Sequence, residues 1–116
     1  MISEQTRSAL DALNIQIGEA EKMLRRLPGS RHDECVVEVA GGHLRFGPMI
    51  DGEYLVFNAD GSEDEYLENL PISIRVQVAG EVPTLIQLAK QCESSFAQDA
   101  LEAAAAIERQ IATTHL

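Results

Sequence analysis

Residues 35 to 59 constrain this chain most, because three short runs separated by two glycine-bearing turns leave room for little except an antiparallel meander. The run Cys35 to Ala40 meets Gly41-Gly42, a pair free to adopt the positive φ that primed hairpin turns demand. A loop at that pair sets Ala40 opposite His43, Val39 opposite Leu44 and Val37 opposite Phe46, with Glu38 facing Arg45 on the other side as a cross-strand ion pair. The second turn is Asp51-Gly52, a strong short hairpin signal, and pairing Ile50 with Glu53 puts Phe46 opposite Phe57 and Pro48 opposite Leu55. Cys35, Val37, Val39, Leu44, Phe46, Leu55 and Phe57 then share one face. A one-residue slip in either hairpin would turn that set outward, so two turns that choose the same face support each other. The opposite face, with Val36, His43, Arg45, Tyr54 and Val56, is too mixed for a second core and predicts partial cover.

Helices are expected before and after the meander in the chain. Ser3 suits an N-cap, and Leu10, Leu13, Ile17, Ala20, Leu24 and Leu27 recur at intervals of three and four until Pro28-Gly29, which predicts a helix over residues 4–27. Gly18 lies off that stripe and costs up to about 1 kcal/mol relative to alanine, which suggests close approach by a neighbouring group. Strands are expected over 34–40, 43–49 and 53–59. Ser62-x-x-Glu65 matches a capping box and predicts a short helix over 63–70, ending at Pro71. Ile72, Ile74, Val76 and Val78 alternate, so 72–79 reads as a fourth strand; the spacing of Ile74, Val78 and Val82 leaves a short helix as the alternative.

The longest element is expected over 84–113, where Leu85, Ala89, Cys92, Phe96, Ala100, Ala103, Ile107 and Ile111 form one apolar line. Such a helix is roughly 43 Å long, whereas strands of five or six residues span about 17 to 20 Å. The surplus is expected to expose Leu101, Ile107 and Ile111 as an interaction surface, unless the N-terminal helix covers it. The fold class is therefore α+β, one domain over residues 1–116, with a long helix at each end of an antiparallel meander and both helices on one sheet face.

Composition narrows the function classes. The net charge of −10, with three Phe, two Tyr and no Trp, opposes binding to nucleic acid or to an anionic membrane, which draws on cationic side chains and stacking rings. No apolar run reaches the roughly 20 residues needed to cross a bilayer, and the N-terminal residues lack the pattern of a secretory signal, so a cytoplasmic location is expected. Seven acids and no Lys or Arg lie between Phe46 and Ile74, while Lys22, Arg25, Arg26 and Arg31 form a basic stretch. Cys35 and Cys92 read as buried, reduced thiols.

The search for chemistry finds no catalytic constellation and no cofactor motif. His32-x-x-Cys35 precedes His43, but strand alternation turns Cys35 inward and His43 outward, and His115 stands at a terminus expected to fray. Asn58 to Ser62 resembles a calcium loop, yet with Gly61 at the sixth position the first and twelfth fall on Val56 and Leu67, which have no side-chain oxygen. Only a weak surface cation site stays open there. Neither cysteine has a partner histidine, phosphate loops are missing, and Asp64 and Glu65 lie in a hydrophilic stretch where nothing would raise a carboxyl pKa.

The order helix, three-stranded meander, short acidic helix, strand, long helix resembles that of type III secretion chaperones, which are similarly small, acidic and dimeric. Where those proteins would show another strand before the last helix, this chain passes from Val78 directly to Pro83. The expected function is a non-catalytic protein-interaction module, homodimeric through its long helices, with an unidentified protein partner. Two other readings stay open. One is a ligand or enzymatic site on the face carrying His43, Arg45 and Tyr54; the other is a chaperone- or immunity-like protein that binds a basic partner through residues 51–68, with Glu63, Asp64 and Glu65 at its centre.

Overall fold

The structure, a computed structural model, describes residues 2–114; His115 lies outside them. Helix α1 (Glu4–Arg25) starts where the Thr6 amide donates to the Ser3 hydroxyl at 3.1 Å, and stops before a 3-10 turn at Pro28–Arg31. Strands β1 (Val36–Val39), β2 (Gly42–Met49), β3 (Gly52–Ala59) and β4 (Glu65–Tyr66) form one antiparallel sheet in that order. A second 3-10 turn at Leu67–Asn69 leads to α2 (Ile72–Ala79) and then α3 (Val82–Thr114). The α+β class and the two long helices agree with the sequence reading.

Both hairpins form, but each is shifted by two residues from the expected pairing. The first loop is Ala40-Gly41, with φ of 52° and 76°, and Val39 faces Gly42. Gly42 is needed inside the strand: a Cβ there would sit 2.7 Å from the Phe57 ring and 2.8 Å from the Ala59 Cα, and would also meet the Asn58 carbonyl. The loop therefore forms one residue earlier, and Ala40 accepts the left-handed conformation that a glycine would take without strain. Glu38 consequently faces His43 and not Arg45, and Val37 faces Leu44 and not Phe46. In the second hairpin Ile50-Asp51 is the tip and Gly52, at φ 149°, opens β3, so Phe46 faces Leu55 and Leu44 faces Phe57. A shift of two preserves the faces. Cys35, Val37, Leu44, Phe46, Leu55 and Phe57 are all buried together, with Val39 half-buried beside them.

Two expectations between the sheet and α3 fail. Residues 63–70 are not a helix, because side-chain anchors pull the segment straight: Asp64 pairs with Arg45 and accepts from Asn58, and Tyr66 lies edge-on to Tyr54 at 5.4 Å while its hydroxyl donates to Asp51. Glu65 and Tyr66 thereby become the fourth strand, against Phe57 and Val56. Val56, on the far face, is fully buried between its ladder neighbours Arg45 and Tyr66. With Glu65 and Tyr66 beside β3, 72–79 is not part of the sheet and adopts the alternative helix. Only Val78 and Ala79 are buried, Ile72 and Val76 stay 38% and 51% exposed, and the Arg75 guanidinium ties α2 to the preceding turn by donating to the carbonyls of Glu68 and Leu70. The order that resembled type III secretion chaperones is therefore not the order observed.

Helix α1 also closes part of the sheet edge. The Leu55 amide donates to Glu21 Oε2 at 2.7 Å, and the Arg25 guanidinium donates to the Glu53 carbonyl at 2.8 and 3.2 Å. In a strand, the carbonyl of one residue and the amide two positions on point to the same side, and side chains four apart on a helix are neighbours, so Glu21 and Arg25 stand in for a pairing strand. Burial raises the Glu21 carboxyl above its usual range, against the lowering effects of the Leu55 amide and Arg25. A raised carboxyl contributes stability when protonated, in full below pH 4.5 and lost as pH rises through the raised value. Glu21→Gln, which keeps an acceptor without the charge, is expected to hold or raise the denaturant midpoint at neutral pH. Glu21→Ala, which strands the Leu55 amide, is expected to cost about 1 to 2 kcal/mol. Gly18, three residues before Glu21, has no group within 4 Å of where a Cβ would stand, so the close approach suggested by its position is not present.

The core is capped by Leu24 of α1 and by Leu85 and Ala89 of α3, all at 0% exposure. Beyond Glu93, α3 leaves the rest of the molecule. Its last 21 residues, Ser94 to Thr114, are all exposed, and the overall extents are 77 × 28 × 25 Å. The radius of gyration is 18.9 Å, against about 13 Å for a compact chain of this length.

Candidate interaction surface

The free half of α3 is helical without packing against the sheet, and Ala103 to Ala106 with the surrounding Glu, Gln and Arg residues supply high helix propensity. Its apolar line continues the buried one at a period of 11 residues: Leu85, Ala89 and Cys92 are followed by Phe96, Ala100 and Ala103, then by Ile107, Ile111 and Thr114. Eleven residues make just over three full turns, so the line stays on one side of the helix along its whole length. Phe96 stands where α3 leaves the sheet, its ring 5.0 Å from that of His32. Ile107 and Ile111 are 60% and 64% exposed on the same side. Leu101 is 72% exposed but stands more than a quarter turn off that line. The expected exposure of Leu101, Ile107 and Ile111 is therefore observed, since α1 does not reach the surplus.

A second apolar surface lies at the other end of α3. A groove of about 590 Å³ runs between α1 and the start of α3, walled by Ile17, Met23, Leu27, Ala79, Val82 and Ile86. Met23 and Ile86 stand off the main stripes of their helices, which is why sequence reasoning passed them over. The available signal was the spacing of Ala79, Val82 and Ile86 across a helix junction.

The other candidate residues are held by their own neighbours. His43, Arg45 and Tyr54 line three different depressions and do not converge on one. His43 sits between Glu38 at 3.9 Å and Asp60 at 3.7 Å; Arg45 is taken by Asp64; Tyr54 packs beneath the Arg25 guanidinium, 5.3 Å from ring centre to charge. In the acidic segment Glu63 and Glu65 face solvent, whereas Asp64 is half-buried in its pair with Arg45. Glu53 is bound through both oxygens by Arg31, at 2.6 and 2.8 Å, and this holds its carboxyl below the usual range. Asp51 holds the Tyr66 hydroxyl.

Neither thiol is set up as a nucleophile. Cys35 and Cys92 are free and buried, and burial, with a smaller effect from Cys92, pushes the Cys35 thiol up to about 11. Among the described residues, no group of three or more His, Cys, Asp or Glu is placed to hold a metal ion, and no helix is long and apolar enough to cross a membrane. No protein-family model, characterised protein or solved structure matches this chain at a significant level.

Proposed function

We propose that this chain is a small cytoplasmic protein-interaction module that works by association and not by catalysis, and that the free half of α3 joins it to a second copy. One observation carries the reading: every residue is exposed over about six helical turns, and the apolar line there leaves Ile107 and Ile111 in water while Phe96, at its root, packs beside His32. Burying each such side chain is worth about 1.5 to 3 kcal/mol, so a partner surface has a large gain available here. Two unpaired thiols fit a reducing compartment. The alternative readings, a ligand site at His43, Arg45 and Tyr54 and a basic partner at 51–68, draw less support, because Arg45, Tyr54, Asp51, Glu53 and Asp64 are engaged within the chain.

Light scattering across micromolar concentrations tests the reading. The chain is expected to be a dimer, and Ile107→Glu combined with Ile111→Glu is expected to weaken association at least tenfold, with the thermal midpoint unchanged when parent and variant are compared at concentrations where both are monomeric. A chain that scatters as a monomer throughout that range overturns the proposal.

A further inference from the structure

This inference rests on the association reading above and names the partner's geometry. We propose that two copies pair through antiparallel α3 helices about a two-fold axis at the Ala103 to Ala106 tract, setting Phe96 of each copy against Ile111 of the other.

The first argument is steric. Leu85, Ala89 and Cys92 are buried under the rest of the molecule, and the free line lies on the same side of the helix, so the globular part occupies that side along the first half of α3. Packed helices lie about 8 to 10 Å apart. A parallel copy facing this line would have to place its own globular part in the same space, and the molecule is 25 Å across even in its narrowest direction. An antiparallel copy meets no such conflict, since each free half runs through the space beyond the other copy's sheet.

The second argument is register. If the two exposed stretches overlap completely, Thr114 of one copy ends beside Glu93 or Ser94 of the other, where the exposed stretch begins. The same alignment pairs Phe96 with Ile111, Ala100 with Ile107 and Ala103 with Ala104. Small residues then meet at the middle, where crossing helices are closest, and bulky ones fill the gap as the helices diverge. Sliding the copies together by one turn drives each tip into the Pro28–Arg31 turn, which packs on α3 at Ala89 to Glu93. Sliding them apart by one turn moves Phe96 past Ile111 to the level of Thr114, so the ring loses its apolar partner.

Charge agrees with this alignment. Asp99 and Glu108 come level in this alignment but on opposite flanks of the pair, where Asp99 neighbours Gln110 and Glu108 neighbours Ala97, while Glu102 and Arg109 stand on the side away from the line. No carboxylate of one helix faces a carboxylate of the other, although the free half carries three acids and one base.

Nitroxide labels at single introduced cysteines test the geometry, since Cys35 and Cys92 are buried and Thr113 and Ala104 are exposed. With Thr113→Cys, the 1.5 Å rise and the separation of the two axes put the labelled positions about 30 Å apart in the antiparallel pair, and pulsed dipolar spectroscopy should read a distance near that value. With Ala104→Cys, beside the axis, the labels should be close enough to broaden the continuous-wave spectrum. Broadening at Thr113 would mean parallel helices and overturns this inference while the association reading stands. A dimer with neither signal places the contact elsewhere and also overturns it. A monomer by light scattering removes both.

Discussion

Gly29→Ala is expected to destabilise the fold by about 3 kcal/mol, at or beyond the upper end of what overpacking usually costs. The glycine lies in the 3-10 turn after α1 and rests directly on the backbone of α3. An added Cβ would stand 3.0 Å from the Cys92 carbonyl carbon, and closer than real Cβ atoms come to the Ala89 oxygen and the Glu93 nitrogen. Those atoms belong to the hydrogen-bonded ladder of a helix and cannot swing aside as a side chain would. The turn must instead lift, and with it goes Ser30, whose buried hydroxyl shares its one proton between the carbonyls of Leu24 and Leu27, at 2.8 and 2.7 Å. Such a loss is a large part of the roughly 5 to 15 kcal/mol that holds a domain together. Chemical denaturation of the variant measures it; a midpoint within error of the parent chain would show that the turn does not bear on α3 as described.

Leu85→Ala and Ile107→Ala should separate by several kcal/mol although the two residues stand on the same line of one helix. Leu85 is fully buried among the sheet face, α1 and α2, so its truncation opens a cavity and is expected to cost about 3 to 5 kcal/mol. Ile107 is 60% exposed on the free half of α3, and alanine is the better helix former, so its truncation is expected to change the stability of the monomer by less than about 0.5 kcal/mol. The comparison belongs at concentrations where the chain is monomeric, because association would add its own stabilisation to the parent. Equal losses at both positions would mean that α3 is supported along its whole length.

Much of the architecture was legible in the residues. The faces of the meander survived a two-residue error in both turns, because side chains alternate with a period of two and an even shift returns each to its side. The turn positions themselves were not legible, since Gly42 is small to let β3 approach and not to permit a positive φ, and only the neighbouring strand reveals which use a glycine serves. The segment 63–79 was misread for a related reason. Its local signals, a capping box and then a run of alternating β-branched residues, are weak preferences of well under 1 kcal/mol per residue. Arg45, Tyr54 and Asp51 hold Asp64 and Tyr66 in extended form beside β3, the place the sequence reading left for the following run. The candidate ligand residues His43, Arg45 and Tyr54 shared a face on paper, yet which neighbours would claim Arg45 and Tyr54 depended on residues far away in sequence.

The sequence by itself determined the periodic properties: which side of each strand is apolar, where α1 and α3 run, and that α3 is too long for the sheet it covers. These follow from spacing along one chain, because burying or stranding a whole face is worth many kcal/mol. Tertiary structure alone decided which edge of the sheet β4 and α1 would close, which acids would be spent on internal pairs, and on which side of α3 the globular part would sit. Those outcomes turn on single contacts between residues distant in sequence, each worth about 1 kcal/mol, and such contacts exist only once the chain has folded.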